Sequence, residues 1–520
     1  MTLNGNTATT SIAGSGYNQK TIISTGDVSS RQRKSKMIVS AGAGVGFNYG
    51  LQTGAGGVSL GGSITVNGSV YTNGIISAPS GTQIITGSAT AANSAALAVD
   101  QSSGSITAPT APTNAINFGN ASGSQDFAQS FQVSSNLVLN KVQFYIKKIG
   151  SPSVPTVRLV ADNASNSSPS TVNIPIGTVT FGSVTTNYAW VDISFATNPA
   201  LVPNTTYWIV LDGGTSTGNY YIVGANADTS YASGTAKVGA YNGTWNPANL
   251  DSYFKIWTGG VLGLIGGATT YKPLTVGTGS VGDAWASIIK GVTAKEHMYC
   301  STGTMDSPSC DTSHGIPPAV GLPFTSANIA TWKAAALAGG EISGYSIDGS
   351  ADIPHSLGPK KINGDFSVGG SAILTLTGTI WVTGNVTVSG SGKIKLPTNY
   401  VLNSETIISD KIVSLGGGTS TGSGTNGSFL FVVSTSRCPY DTYCSGASAI
   451  SVSGAAGTIA VDAQNGDVNL SGSASLDSAV GNSLTLTGAD TVNYNSGLAS
   501  PSFINGPSGG WNLSGWGETQ

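Results

Sequence analysis

The chain has 520 residues, of which only 9% are charged against ~25% in an average soluble protein, and its formal net charge is −3. Its 73 glycines are about twice the usual ~7%, while 39% of residues are hydrophobic. These values exclude a mostly helical protein, charge-driven disorder and a basic nucleic-acid-binding surface, and leave short strands with tight turns.

Residues 1–106 read as an N-terminal β region that begins a solenoid. The first residues after Met1 are polar and lack the charged start and apolar core of a secretory signal. The basic run Arg31 to Lys36 reads as a solvated strand or linker rather than a docking surface. Gly42-Ala-Gly44-Val-Gly46 lacks the Lys-Ser/Thr of a phosphate loop and reads as a bend. From Gly56 apolar and polar residues alternate in short runs closed by glycine. Gly62 to Gly74 (GSITVNGSVYTNG) and, far downstream, Gly378 to Gly390 (GTIWVTGNVTVSG) share the pattern G-[ST]-I-x-V-x-G-x-V-x-x-x-G. Strand-and-bend units of six or seven residues build a β-solenoid, whose turns stack at ~4.8 Å. Asn93 to Asp100 reads as a short helix.

A Pro/Thr/Ala linker follows over residues 107–117. Residues 118–260 carry longer strands with strict alternation, such as Val142, Phe144 and Ile146, or Val191, Ile193 and Phe195. These predict an antiparallel sandwich inserted into the solenoid. In its Gly239 to Trp245 loop (GAYNGTW), Tyr241 and Trp245 are candidates for stacking on a sugar ring, with lid residues of the sandwich core as the competing reading.

Residues 261–361 read as a connecting region. The longest uncharged apolar stretch, residues 256–271, is broken by glycines and too short to span a bilayer. Ser326 to Ala338 predicts the one strong helix, with Ser326 as N-cap, Ile329, Trp332 and Ala336 on its apolar face and Gly339-Gly340 as its stop. Such a helix would cap an end of the solenoid. Residues 362–520 return to solenoid repeats and a C-terminal tail. The four cysteines form two close pairs, Cys300 with Cys310 and Cys438 with Cys444, in polar loops. Their spacings suit loop-closing disulfides and an oxidising compartment better than a zinc site. Export would then depend on a segment absent from this chain or on another route.

Phe127 to Val133 (FAQSFQV), Leu139 to Phe144 (LNKVQF) and Pro155 to Leu159 (PTVRL) resemble the β-sandwich of choice-of-anchor-type bacterial surface proteins. Gly68 to Gly74 (GSVYTNG), the Tyr299 to Ser313 loop, Trp332-Lys-Ala-Ala335 with Gly339-Gly340, and Asn465 to Gly472 resemble a domain of unknown function in type IV pilus-associated, minor-pilin-like proteins, with strand repeats of the polymer-forming bactofilin type. The resemblance implies a non-catalytic module at a cell surface and carries over no catalytic residue.

The residues themselves point the same way. Three histidines, His297, His314 and His355, must serve any hydrolase triad. The G-x-S-x-G matches at Gly214–Gly218 and Gly418–Gly422 lack the strand-to-helix setting of a nucleophile elbow. No cofactor is called for. Calcium is the metal left open, at Asp162-Asn163 or at Asp348 with Asp352, where Asx turns are the favoured alternative. The expectation is an all-β, non-enzymatic protein: a right-handed β-solenoid-like domain with an inserted, jelly-roll-like antiparallel sandwich and one or two short helices. Its place would be extracellular, at the cell surface, as a structural or adhesive component. Its partners would be other envelope or pilus subunits or surface glycans, with no nucleic acid and with membrane contact only through a segment absent from this chain. A polysaccharide-acting solenoid lyase or hydrolase and a virion or tail-fibre component are the alternatives.

Overall fold

A computed structural model describes residues 2–3, 6–14, 19–28, 31–41, 45–103, 112–226, 231–267, 274–301, 309–400, 403–416, 428–455, 457, 459–503 and 511–519. Among them Ser326–Ala338 is the one α-helix, and everything else regular is strand or short 3-10 turn. Among the described residues no helix is long and apolar enough to cross a membrane. Residues 107–111 of the linker and the bend at 42–44 lie outside the described residues, whereas the linker's last residues belong to the strand Asn114–Phe118.

The dominant body is a rod of parallel strands joined into one 22-stranded sheet. Three strands make a turn, and each strand pairs with its equivalents in the turns above and below. One inward column shows the construction. Ile380 pairs with Ile407, Ile407 with Val432, Val432 with Val461, Val461 with Ala479, Ala479 with Leu51, Leu51 with Val70 and Val70 with Ala89. Ala284 and Met298 complete it. All are buried in one continuous apolar core. The two stretches that share the glycine-punctuated pattern are therefore both in this rod. Their equivalent positions fall on different faces: Ile64 and Val66 lie on the face preceding the Val70 column, whereas Ile380 and Val382 lie on that column's own face.

The order of turns differs from the order of the chain. Leu51–Asn67 enters in mid-rod, and residues 70–91 build upward from it. After the sandwich, the chain resumes at Leu264–Gly267 and brings one end to Met298–Tyr299, its last strand, on which Asp311 adds a single parallel bridge to Tyr299. It then restarts at the opposite end with Glu341–Gly349 and climbs until Ser478–Gly488 and Thr491–Asn493 meet Leu51–Asn67 from below. At this seam Thr491, Val492 and Asn493 lie on Thr65, Val66 and Asn67, and Asn67 Nδ2 donates to Asn493 Oδ1 at 2.7 Å. Residues 264–267, 274–299 and 341–361, expected to connect, are thus turns of the rod itself.

One corner of the rod is reserved for glycine. Gly349, Gly370, Gly390, Gly454, Gly472, Gly488, Gly62 and Gly81 all have positive φ there. They follow inward residues that stack in register, among them Val368, Val388, Val452, Leu470, Leu486 and Leu60. A Cβ on Gly81 would lie 2.1 Å from the Gly62 carbonyl oxygen, and one on Gly62 would lie 2.5 Å from that of Gly488. An L side chain is therefore opposed twice, by its own backbone conformation and by the next turn.

The sandwich has one sheet running Asn114–Phe118, Tyr220–Asn226, Leu139–Ile149, Ala189–Phe195 and Val179–Phe181, with Phe254–Thr258 also paired to Leu139–Ile149. The facing sheet runs Ser168–Asn173, Thr156–Asn163, Tyr207–Asp212, Asp126–Phe131, Ala236–Gly239 and Trp245–Pro247. The alternation read from sequence holds: Val142, Phe144, Ile146, Val191, Ile193 and Phe195 all enter the core. The expected short helix at Asn93 to Asp100 is absent. Ala98–Ser102 is instead a strand, paired antiparallel with Phe254–Thr258, so the sandwich starts before residue 118. Sheet pairing overrides the helix preference of its alanines.

The helix is where the sequence puts it, with Ile329, Trp332 and Ala336 buried. Thr325, rather than Ser326, is the N-cap, because its hydroxyl accepts the Asn328 N–H in a reciprocal capping box. It does not close an end of the rod. It lies along the flank against Lys360–Gly370, Ile380–Val382 and Asn403–Ser409, with Trp332 edge-on to Phe324 and Phe503. Apart from the rod, Asn6–Gly14, Gln19–Val28, Arg31–Ala41 and Trp511–Thr519 form an antiparallel sheet. The basic run is thus a strand, as expected, with Arg33 and Glu518 exposed and 3.9 Å apart.

Several carboxyls are enclosed in the rod. Burial pushes Glu405, Asp462 and Asp477 up to about 7 and Asp467 up to about 6. Hydrogen bonds, from Thr379 Oγ1 and the Thr406 N–H to Glu405 and from the Gln464 N–H to Asp462, offset this only in part.

Two outcomes are expected. Gly81→Ala lowers stability by at least about 2 kcal/mol, read from the urea midpoint, whereas Gly218→Ala, with open space around it, changes little. The raised carboxyls bind protons more tightly when folded than at their unfolded values near 4. Their contribution is therefore full below pH ~4 and is lost as pH rises through 6 to 7. The urea midpoint should rise on acidification from pH 7.5 to 5, and Asp462→Asn together with Asp477→Asn should flatten that slope.

Candidate functional site

The loop that carries Tyr241 and Trp245 is a tight hairpin between Ala236–Gly239 and Trp245–Pro247, with Gly239 opposite Trp245 and the Gly243 N–H donating to the Ala240 carbonyl at 2.8 Å. Asp126, on the neighbouring strand, holds it in place. Its Oδ2 accepts the Tyr241 N–H at 2.6 Å and its Oδ1 accepts the Gly213 N–H at 2.9 Å. Burial, helped by Asp212, pushes the Asp126 carboxyl up to about 6 against the opposing pull of those two N–H groups. Arg158 completes the support, bonded to Asp212 at 2.9 Å and lying 4.3 Å over the Tyr241 ring. The Tyr241 hydroxyl lies 3.2 Å from Asn173 Oδ1.

Tyr241 and Trp245 pack against a small outer cluster of Ala128, Val160, Trp208 and Val210. They also line a groove of about 590 Å³. The opposite wall is the turn and strand from Asn163 to Val172, which presents Asn166, Ser168, Ser170 and Thr171. Thr442, from the rod, closes one end. The lining holds amides, hydroxyls and two aromatic rings but no carboxylate, lysine, arginine or histidine. Such a surface exchanges hydrogen bonds with hydroxyls and places flat apolar edges beside them, without the charge that acid–base chemistry needs.

Sequence reasoning found the aromatic wall and missed the rest. The Asn163–Val172 wall and Thr442 are brought in by sheet pairing and by contact between the two bodies, and no local pattern announces either. Thr442 sits in the loop closed by Cys438–Cys444, whose Cα atoms are 5.5 Å apart. Arg437, paired with Asp441 at 2.7 Å, donates to Thr205 Oγ1 at 3.0 Å, and Tyr440 packs on the sandwich core. Burial lifts the Tyr440 hydroxyl far above its ordinary value. The disulfide loop therefore braces the sandwich against the rod. Cys300 and Cys310 are joined as well, with Cα atoms 5.7 Å apart. Two disulfides suit an oxidising environment.

The remaining candidates are dispersed. Asp162 Oδ1 accepts the Trp208 indole N–H at 2.7 Å, and Asp352 bonds Ser350 in a local turn; the structure gathers neither into a three-donor group, as it does not Asp348. Ser216 lies in the turn before Tyr220–Asn226 and accepts from Asn219 Nδ2 at 3.2 Å, so it is no nucleophile elbow. The second G-x-S-x-G match lies outside the described residues.

Replacing both Cys438 and Cys444 with serine should cost about 2 kcal/mol on the loop-closure estimate. Limited proteolysis should then cut within residues 437–444 before the rod is attacked. Equal protection of the serine variant would show that the brace stands without the disulfide. No family model, curated protein or solved structure matches the chain.

Proposed function

We propose that this protein is an exported structural and adhesive component of a cell surface, in which a stiff parallel-strand rod carries a sandwich that grips a neutral glycan. The uncharged groove beside Tyr241 and Trp245 is the observation that carries this reading. Hydroxyl-rich, uncharged ligands match its donors and acceptors, and a charged ligand would find no counter-charge in its lining. The two disulfides favour an oxidising exterior, and association with envelope or pilus subunits extends the surface resemblance of the sequence. A glycosidase mechanism requires two carboxyls facing each other across the bound sugar, and the lining of this groove supplies none.

The purified protein should retain neutral oligosaccharides from an immobilised panel. Trp245→Ala and Tyr241→Ala should each weaken retention at least tenfold, with the circular-dichroism spectrum unchanged. Retention that survives both substitutions, or a panel with no ligand at all, overturns the groove assignment. Release of reducing ends overturns the non-catalytic role.

A further inference from the structure

At the end of the rod finished by Met298–Tyr299, stacking of the last two turns assembles a second group of side chains. Ala284 and Trp285 pair with Met298 and Tyr299, which sets Asp283 beside His297 one residue earlier. His297 Nδ1 lies 3.1 Å from Asp283 Oδ1 and 3.8 Å from Glu296 Oε1. Donor atoms from all three residues fall within 4.8 Å of one another, the only such group among the described residues. For metal–ligand bonds of ~2.0–2.2 Å, neighbouring donors around a cation stand roughly 3–4 Å apart.

The backbone fixes two of these groups before any ligand arrives. Asp283 Oδ1 accepts the His297 N–H at 3.1 Å, and Glu296 Oε2 accepts the Gly282 N–H at 3.1 Å. Their second oxygens are left for another partner. Ala284 and Met298 anchor the strands in the core, so the scaffold is a rigid rung rather than a free loop. Neither carboxylate has a lysine or arginine partner among the described residues. The uncompensated charge is felt nearby: the Tyr299 phenol is raised by desolvation and by Asp283, Asp311 and Glu296.

We propose that Asp283, Glu296 and His297 bind a divalent transition-metal ion of the Zn²⁺ or Mn²⁺ class that clips the last two turns of the rod together. One imidazole with two carboxylates favours such ions over calcium, which prefers an all-oxygen shell. A dication would also neutralise the paired carboxylates. Three protein donors on a half-exposed surface leave further coordination positions open to water or to an outside oxygen ligand. This site is independent of the sandwich groove.

Chelator-treated protein titrated calorimetrically with Zn²⁺, Mn²⁺ and Ca²⁺ tests the proposal. One equivalent of Zn²⁺ or Mn²⁺ should bind at least tenfold more tightly than Ca²⁺ and raise the melting temperature. Asp283→Asn, Glu296→Gln and His297→Ala should each weaken binding at least tenfold. Glu296→Gln is the most exposed carboxylate change and keeps the test valid if the others unfold the rung. His314→Ala, whose ring meets Tyr299 at 4.8 Å away from the triad, should leave binding unchanged. Absence of stoichiometric binding, equal affinity in the three variants, or an equal loss in His314→Ala would overturn the assignment.

Discussion

The rod rests on one constraint: the ladder hydrogen bonds of each turn are made with the turns above and below, so no turn is complete alone. Close stacking then demands that the chain change direction without a side chain in the way. The glycine corner meets that demand. At Gly370, Gly390, Gly488, Gly62 and Gly81, positive-φ residues sit where a Cβ would strike a neighbouring turn. The inward residues two positions earlier, from Val368 to Leu60, then fall into columns that fill the interior. Composition follows from this geometry, since glycine, small polar residues and β-branched residues are what the corners, outer positions and inner positions respectively accept.

The same repetition explains what could be read from the sequence. The pattern shared by Gly62–Gly74 and Gly378–Gly390 identifies a common rod because each turn imposes the same steric rule. It cannot order the turns, since any turn fits any other. The seam illustrates the point: Thr491-Val-Asn493 lies on the identical tripeptide Thr65-Val-Asn67, and only the coordinates reveal them as neighbours. Residues 264–267 and 274–299 read as a connector because they do not repeat the glycine-closed pattern of Gly62–Gly74. Asn93 to Asp100, with Ala95, Ala96 and Ala98, reads as helix until a sheet edge claims Ala98–Ser102.

Functional positions follow the same division. Tyr241 and Trp245 stand out within one short loop, so the aromatic wall of the groove was legible. The facing wall and Thr442 depend on contacts that only folding creates. Asp283 and His297 are separated by nearly one turn, a spacing that means nothing until the period of the rod is known. Braces and sites in this protein therefore tend to arise between turns or between bodies, where sequence neighbours say least.

The permuted order of turns also has a consequence for how the protein is made. Asn67 waits for Asn493, a partner 426 residues later. At ~5–20 residues per second, the underside of the first turn would emerge from the ribosome roughly 20–90 seconds before the strand that covers it. For that interval Leu51–Asn67 presents an open strand edge, the kind of surface that captures other chains. The nascent polypeptide must therefore be shielded, or kept unfolded until its last turns appear, and its biogenesis is tied to late, long-range closure rather than to steady growth from one end.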